Sequence, residues 1–139
     1  MLDTNTPIYL IEHRPPEVAQ RVNALAEDER LCMSFFTFAE LLKGAAGSVR
    51  RDEVLRRLDA LVSLVSQVPV VYGASRGLCE HYALQVTRLK SAGTPIGANE
   101  LWIACHALAE EATLVTDNRR EFARVAGLRL DNWVSAGAA

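Results

Sequence analysis

The sequence predicts an α/β fold in which a short parallel sheet lies between two layers of helices. Short β-branched or apolar runs alternate with stretches of helical periodicity along the whole 139-residue chain, which is the pattern of parallel sheets. The run at 31–34 is apolar on successive residues, as expected for a strand buried on both faces. Half of the residues are hydrophobic, so we expect one globular domain over residues 1–134 and a frayed tail over 135–139.

The predicted elements follow one another without a long linker or a repeat. Helical periodicity covers residues 7–12, 16–27, 36–46, 51–66, 74–92, 99–110 and 117–122. Strand patterns cover residues 1–3, 31–34, 68–71, 113–116 and 128–130.

Local signals support each boundary in order. Pro16 suits the first turn of the second helix, where its missing N–H costs little. Gly47 and Gly93 follow two of the helices and favour their termination. The segment 51–66 is strongly amphipathic, with Val54, Leu58, Leu61 and Val65 on one face. Pro69 cannot donate to a ladder, so the 68–71 strand should lie at an edge of the sheet.

Bulk properties narrow the class of protein. A net charge of −2 and a pI near 5.9 provide no global attraction to nucleic acid, so any such binding must use local patches. The cysteines Cys32, Cys79 and Cys105 form no CxxC motif, which indicates reduced and mostly buried thiols in a cytoplasmic protein. The three histidines have no zinc-ligand spacing. No N-terminal export signal is apparent, and no apolar run approaches the roughly 20 residues needed to cross a membrane.

Four acids occur where strands end or helices begin. Asp3 ends the first strand, and Glu40 lies in the first turns of the helix after the second strand. Glu100 opens a later helix, and Asp117, followed by Asn118, ends the 113–116 strand. In a parallel sheet these positions converge at one rim, and clustered carboxylates suit a hard divalent cation. Without a cation the acids repel one another, so at least one carboxyl pKa should be raised.

Each acid also has an ordinary structural explanation. Asp3 or Thr4 could cap the following helix, and Thr37 with Glu40 matches a capping box. The two later acids suit a helix N-terminus and a turn. The sequence alone leaves both explanations open for each residue.

Four stretches resemble the ordered motifs of the PIN-domain family. They are LDTN at 2–5, SFFTFAELLKG at 34–44, PIGANELWIA at 95–104 and LVTDNRREF at 114–122. The closing GLRLDNW at 127–133 fits as well. Within the family, the chain most resembles the VapC toxins of type II toxin–antitoxin modules.

The resemblance implies a three-layer α/β/α fold whose short central sheet has four to five mainly parallel strands. It also implies an endoribonuclease that depends on Mg²⁺, or on Mn²⁺ as a substitute. The implied catalytic residues are Asp3, Glu40, Glu100 and Asp117; the implied metal ligands are Asp3, Glu100 and Asp117 or Asn118; and Asn5 and Thr116 would support them. Lys43, Arg119 and Arg120 are candidates for contacts with RNA phosphates.

Glu100 departs from the family pattern, which normally has aspartate there. The extra methylene shifts the carboxylate by ~1.5 Å, and a misplacement of that order can cost roughly a hundredfold in rate. The alternative is therefore a catalytically weakened module that only binds RNA or a partner. A receiver-type or phosphatase-type domain is disfavoured, because Asn5 stands where the second acid of a DxD motif would be.

The resemblance also implies partners. A VapB-type antitoxin would lie in a groove between helices, with the 51–66 helix as a candidate wall, and bring a basic residue to the acids. DNA binding would occur only through the antitoxin. A homodimer is expected, with the apolar helix around Trp102 and Leu108 as a candidate interface.

Overall fold

The structure is a computed structural model that describes residues 1–63 and 68–135. Its helices are α1 (Asn5–Glu12), α2 (Pro16–Asn23), α3 (Phe35–Ala46), α4 (Arg51–Val62), α5 (Arg76–Ser91), α6 (Ala98–Ala109) and α7 (Arg119–Phe122). Its strands are β1 (Met33–Ser34), β2 (Val70–Val71), β3 (Leu114–Val115) and β4 (Leu130–Asp131). The alternation of short strands with helices agrees with the predicted α/β class.

The N-terminal segment lies at the centre of the sheet. Leu2 forms parallel bridges to Met33 on one side and to Val115 on the other. Strand β1 pairs in parallel with β2, and β3 pairs in parallel with β4. The spatial order is therefore β2, β1, N-terminal segment, β3, β4. The prediction of a short parallel sheet with the Val70–Val71 strand at one edge is confirmed.

Side chains alternate between two helical layers because successive strand residues point to opposite faces. Leu2, Met33 and Val115 belong to a core shared with α1 to α4. Met1 and Leu114 pack on the other face with residues of α6 and α7, and α5 packs on α6. The three-layer α/β/α architecture is therefore confirmed. The alternation also directs the side chains of residues 3 and 116 towards α6.

Some predicted boundaries were wrong. Helix α2 ends at Asn23 and not at residue 27, because a turn follows in which Glu29 Oε2 accepts from the Ala26 N–H. Helix α4 ends at Val62; Val65 and the rest of the predicted 51–66 helix after residue 63 lie outside the described residues, as do residues 136–139 of the predicted tail.

The cysteines are free thiols, but their burial differs from the prediction. Cys105 is buried and Cys32 is partly buried, whereas Cys79 is exposed on α5. Over the described ranges, none of the helices combines the length and apolar character that crossing a membrane requires.

Candidate active site

A cavity of about 540 Å³, which we call the acidic cavity, opens at the carboxyl ends of the central strands. It is lined by Asp3, Thr4, Asn5, Glu40, Lys43, Gly44, Gly47, Asn99, Glu100 and Asn118. Three of the four predicted acids therefore share one cavity, and they come from the N-terminal segment, α3 and α6. This is the rim at which ligands bind in open α/β sheets.

Asp3 lies at the bottom of this cavity with 7 % of its surface exposed. Its N–H donates to Val115 O at 2.9 Å, and its Oδ2 accepts from the Thr116 hydroxyl at 2.8 Å. Burial raises the pKa of the Asp3 carboxyl, and the nearby charges of Glu40 and Glu100 raise it further, against the hydrogen bonds from Thr116 and the backbone. The expectation of one raised carboxyl pKa is confirmed.

The helix-cap explanation is wrong for Thr4. Helix α1 has Thr4 at its N-cap position, but the Thr4 side chain makes no cap hydrogen bond. The Thr4 hydroxyl instead donates to Glu40 Oε2.

The Glu40 carboxylate is held by donors from two other elements. Besides Thr4, Asn99 Nδ2 donates to Glu40 Oε1 at 3.0 Å. The capping-box alternative is wrong, because α3 begins earlier and Ser34 is its N-cap. Thr37 is consequently an interior, fully buried residue of α3. Glu40 is thus free to face the cavity.

Glu100 lies in the first turn of α6 and folds back over the loop that precedes it. A Cβ placed on Gly97 would lie 2.0 Å from Glu100 Oε2 and 2.9 Å from Glu100 Cδ. The carboxylate therefore occupies space that any residue other than glycine would fill. It also lies close enough to Asp3 to raise the pKa of that carboxyl.

Asp117 and Asn118 point to different places. Asp117 Oδ1 accepts from Asn5 Nδ2 at 3.1 Å, and Asp117 Oδ2 accepts from the Tyr9 hydroxyl at 2.6 Å. That hydrogen bond is the main cause that raises the pKa of Tyr9 to about 12. Asn118 lines the cavity, and its N–H donates to Thr116 Oγ1 at 3.0 Å. Between these two neighbours, whose orientation the sequence left open, Asn118 faces the cavity.

Glu121 is a contributor that sequence reasoning missed. Its Oε1 accepts from the Gly97 N–H at 2.6 Å, and its Oε2 accepts from Asn118 Nδ2 at 2.9 Å. These two hydrogen bonds lower the pKa of the Glu121 carboxyl. The available signal was its place within the fourth motif, three residues after Asn118. Glu121 connects the loop before α6 to the start of α7.

Tyr9 and Asn99 were also missed as contributors to this region. Each donates to a predicted acid, Asp117 and Glu40 respectively. Asn99 directly precedes Glu100, which was a usable signal, but nothing local in the sequence connects Tyr9 with Asp117.

One of the three predicted RNA-binding cations lines this cavity, and the other two follow a cavity residue in the sequence. Lys43 lines the cavity from α3. Arg119 and Arg120 are exposed in the first turn of α7, directly after Asn118. Their contacts with RNA stay a prediction.

The cavity is not a preformed cage of protein ligands. Within residues 1–63 and 68–135, no group of three or more His, Cys, Asp or Glu side chains is placed to hold a metal ion. Both oxygens of Glu40 and of Asp117 accept from protein donors, as does Asp3 Oδ2, but an oxygen that accepts one hydrogen bond keeps a free lone pair for a cation. Mg²⁺ binds through one or two carboxylates and keeps several waters, so this donor set fits Mg²⁺.

A second cavity, the apolar groove, lies on the other side of Glu40 between α1, α3 and α4, with a volume of about 310 Å³. Its apolar lining includes Ile8, Ile11, Leu41, Ala45, Val54 and Leu58. Its charged residues, besides Glu40, are Glu12, Arg50, Glu53 and Arg57. It shares Thr4, Glu40 and Gly44 with the acidic cavity. The predicted involvement of the helix from residue 51 in a groove matches this geometry.

The family model described as PIN domain matches residues 1–128. The chain belongs to the PIN-domain family.

Among its curated relatives are VapC proteins. Ribonuclease VapC1 from Haemophilus influenzae (strain R2866) is 45 % identical over 133 residues, which cover 96 % of both proteins. The solved VapBC-1 structure from nontypeable Haemophilus influenzae is similar with a TM-score of 0.85 and 45 % identity, covering 96 % of each chain. VapBC2 from Rickettsia felis, bound to a DNA fragment from its promoter, has a TM-score of 0.87 and 34 % identity, covering 96 % of this chain and 98 % of that one.

Proposed function

We propose that this chain is the toxin of a type II toxin–antitoxin module and hydrolyses RNA phosphodiester bonds as a Mg²⁺- or Mn²⁺-dependent endoribonuclease. The observation that carries the proposal is the buried Asp3 at the centre of the sheet, with Glu40, Glu100 and Asn118 around one cavity. The ribonuclease name of a relative that is 45 % identical over 96 % of the chain supports the reaction class.

The carboxylates of the site have different proposed roles. Asp3 and Glu100, which line the same cavity, would hold the cation, with the amide of Asn118 beside them. Such a cation, when bound, neutralises phosphate charge and lowers the pKa of a coordinated water. Thr116 fixes the orientation of the Asp3 carboxyl by donating to Oδ2.

Glu40 is suited to orienting water. Thr4 and Asn99 hold its two carboxylate oxygens at the wall of the cavity, so its position is defined before substrate arrives. A carboxylate oxygen that accepts one hydrogen bond still has a free lone pair, and Glu40 can therefore accept a proton from the attacking water.

Asp117 acts from behind the cavity. It binds Asn5 and Tyr9 of α1 and so fixes the junction after β3 from which Asn118 reaches the cavity. Its proposed part in catalysis is to position these neighbours.

The RNA backbone would approach along the cations. Lys43 lines the cavity beside the carboxylates, and Arg119 and Arg120 are exposed directly after the cavity residue Asn118. Contacts to phosphates position a nucleic acid without reading its sequence.

The proposed partner is a VapB-type antitoxin. Its segment would fill the apolar groove and bring a basic side chain to Glu40, the acid that the groove shares with the acidic cavity. The similarity to two VapBC structures supports this partner. DNA binding through the antitoxin alone, and a homodimer, complete the proposal.

A metal titration with the Asp3→Asn variant tests the proposal. Mn²⁺ should bind the wild-type chain, raise its melting temperature and switch on RNA cleavage. Asp3→Asn removes the central charge, so we expect cleavage to fall at least ~100-fold together with Mn²⁺ binding. Asp59→Asn, at an exposed position on α4, is the matched control and should leave both unchanged. Undiminished cleavage by Asp3→Asn would contradict the assignment.

The second candidate function is a weakened module that binds RNA or the antitoxin without cutting. The observation in its favour is that both oxygens of Glu40 and of Asp117 are already hydrogen-bonded. A wild-type chain that binds RNA or antitoxin but cleaves nothing with either metal would favour this candidate.

A further inference from the structure

Gly97 is enclosed by two carboxylates. Its N–H donates to Glu121 Oε1 at 2.6 Å, and the carboxylate of Glu100 covers its Cα on the side where a Cβ would project. Its backbone, with φ of −56° and ψ of 147°, is one that any residue can adopt. The backbone conformation therefore does not require glycine at this position, and the close approach of Glu100 does.

We propose that Gly97 is a positioning residue for Glu100: its missing side chain makes the room in which the longer acid folds back and presents its carboxylate to the cavity. This inference rests on the proposed function, since it concerns one of the two carboxylates proposed to hold the cation. The absent side chain of Gly97 thereby leaves space for the extra methylene of Glu100 in the same turn.

The clash at position 97 would be severe but confined to one side chain. A methyl group there would lie 2.0 Å from Glu100 Oε2, so the carboxylate must leave its place. The displaced atoms are the far end of a flexible side chain, and the next neighbour, Glu121 Oε1, would be at an ordinary 3.5 Å. Gly97→Ala should therefore move Glu100 and leave the fold intact.

A double-mutant cycle between the two positions isolates this effect. In Glu100→Asp the side chain is shorter by one methylene, ~1.5 Å, so its carboxylate no longer reaches the space over residue 97. Mn²⁺ affinity is measured by the electron paramagnetic resonance signal of the free ion for wild type, Gly97→Ala, Glu100→Asp and the double variant. Gly73→Ala is the control, because none of the described residues has an atom within 4 Å of its Cβ position and it does not line the acidic cavity.

We expect Gly97→Ala to weaken Mn²⁺ binding by about 10- to 100-fold with a melting temperature within about 4 °C of wild type. In the Glu100→Asp background the same change should cost less than about threefold. Equal or tighter binding by Gly97→Ala, or an equal loss in both backgrounds, would overturn the proposal.

Stability provides the second arm. If Gly97→Ala lowers the melting temperature strongly, recovery in the double variant supports the clash with Glu100, and no recovery contradicts it. A wild-type chain that binds no Mn²⁺ contradicts the proposed function itself. In that case crystal structures of wild type and Gly97→Ala still decide the inference, because the proposal requires the Glu100 carboxylate to be displaced in the variant.

Discussion

The acidic cavity and the apolar groove lie on two sides of Glu40 and differ in the polarity of the residues that line them. The acidic cavity is lined by carboxylates, amides and Lys43, whereas the groove has a floor of aliphatic side chains with charges among them. Thr4, Glu40 and Gly44 belong to both. The first is the proposed site for a cation and an RNA phosphate, and the second is the proposed site for an amphipathic segment of the antitoxin. Because Glu40 is shared, an occupant of the groove can reach a proposed catalytic acid without entering the acidic cavity from its mouth.

Helical periodicity explains how such different surfaces adjoin. Ile8 and Ile11 of α1, with its N-cap residue Thr4, are spaced by about one helical turn and line the groove along one side of the helix. Asn5 and Tyr9, each one position further along, turn instead towards Asp117. One short helix therefore supplies an apolar wall and two donors for an acid.

Among variants that should affect only one of the two cavities, we expect the largest effect from Val54→Asp. Val54 lines the groove and not the acidic cavity, so a charge there opposes burial of an apolar partner face. We expect affinity for a co-purified VapB-type antitoxin to fall about 100-fold, measured by calorimetry, with RNA cleavage within twofold of wild type.

Val49→Asp is the matched control, because Val49 is fully exposed and does not line the groove. Loss of cleavage in Val54→Asp at an unchanged melting temperature would show that the two cavities do not act separately.

A smaller effect is expected on the other side of Glu40, for Lys43→Ala. Loss of one phosphate contact should raise the KM for RNA about three- to tenfold and lower the slope of log affinity against log salt by about one. Mn²⁺ affinity should not change. Lys90→Ala, at the exposed end of α5, is the comparison, and an equal effect there would argue against a specific contact.

The smallest effect concerns the stability of the metal-free chain. Burial raises the folded-state pKa of Asp3 above its ordinary value of 3.8, so the ionised form is disfavoured in the fold. This contribution to stability is present at pH values below 3.8 and is lost as the pH rises through the folded-state pKa.

Asp3→Asn removes that titration, so at neutral pH without metal it should be more stable than wild type, by an amount that grows with pH. Urea unfolding from pH 4 to 8 with a chelator measures the difference. A difference that does not grow with pH would contradict the proposed cause.

Much of the fold followed from local patterns. The alternation of apolar runs with helical periodicity predicted the parallel sheet and its two helical layers, and Pro69 predicted the edge strand. The predicted helix end was inaccurate where a turn follows the helix, as after Asn23. Hydrophobic periodicity does not reveal the hydrogen bond from the Ala26 N–H to the Glu29 side chain.

The sequence predicted which residues come together at the candidate site better than it predicted how their side chains are oriented. Positions at strand ends and helix starts singled out the four acids, and the motif resemblance favoured a shared site over the ordinary structural explanation of each. The orientation of Asp117 was not predictable, because it depends on donors from α1. The capping box at Thr37 was a false local signal, since Ser34 takes the cap position.

The sequence by itself determined the α/β class, the order of the elements and the set of acids, because periodicity, helix boundaries and motif spacing are local along the chain. Only the tertiary structure decided which donor holds each acid. Thr4 and Glu40 are 36 residues apart, Tyr9 and Asp117 are 108 apart, and Asp3 and Thr116 are 113 apart. Such pairs form only after the N-terminal segment has entered the centre of the sheet, because its parallel neighbours come from distant parts of the chain.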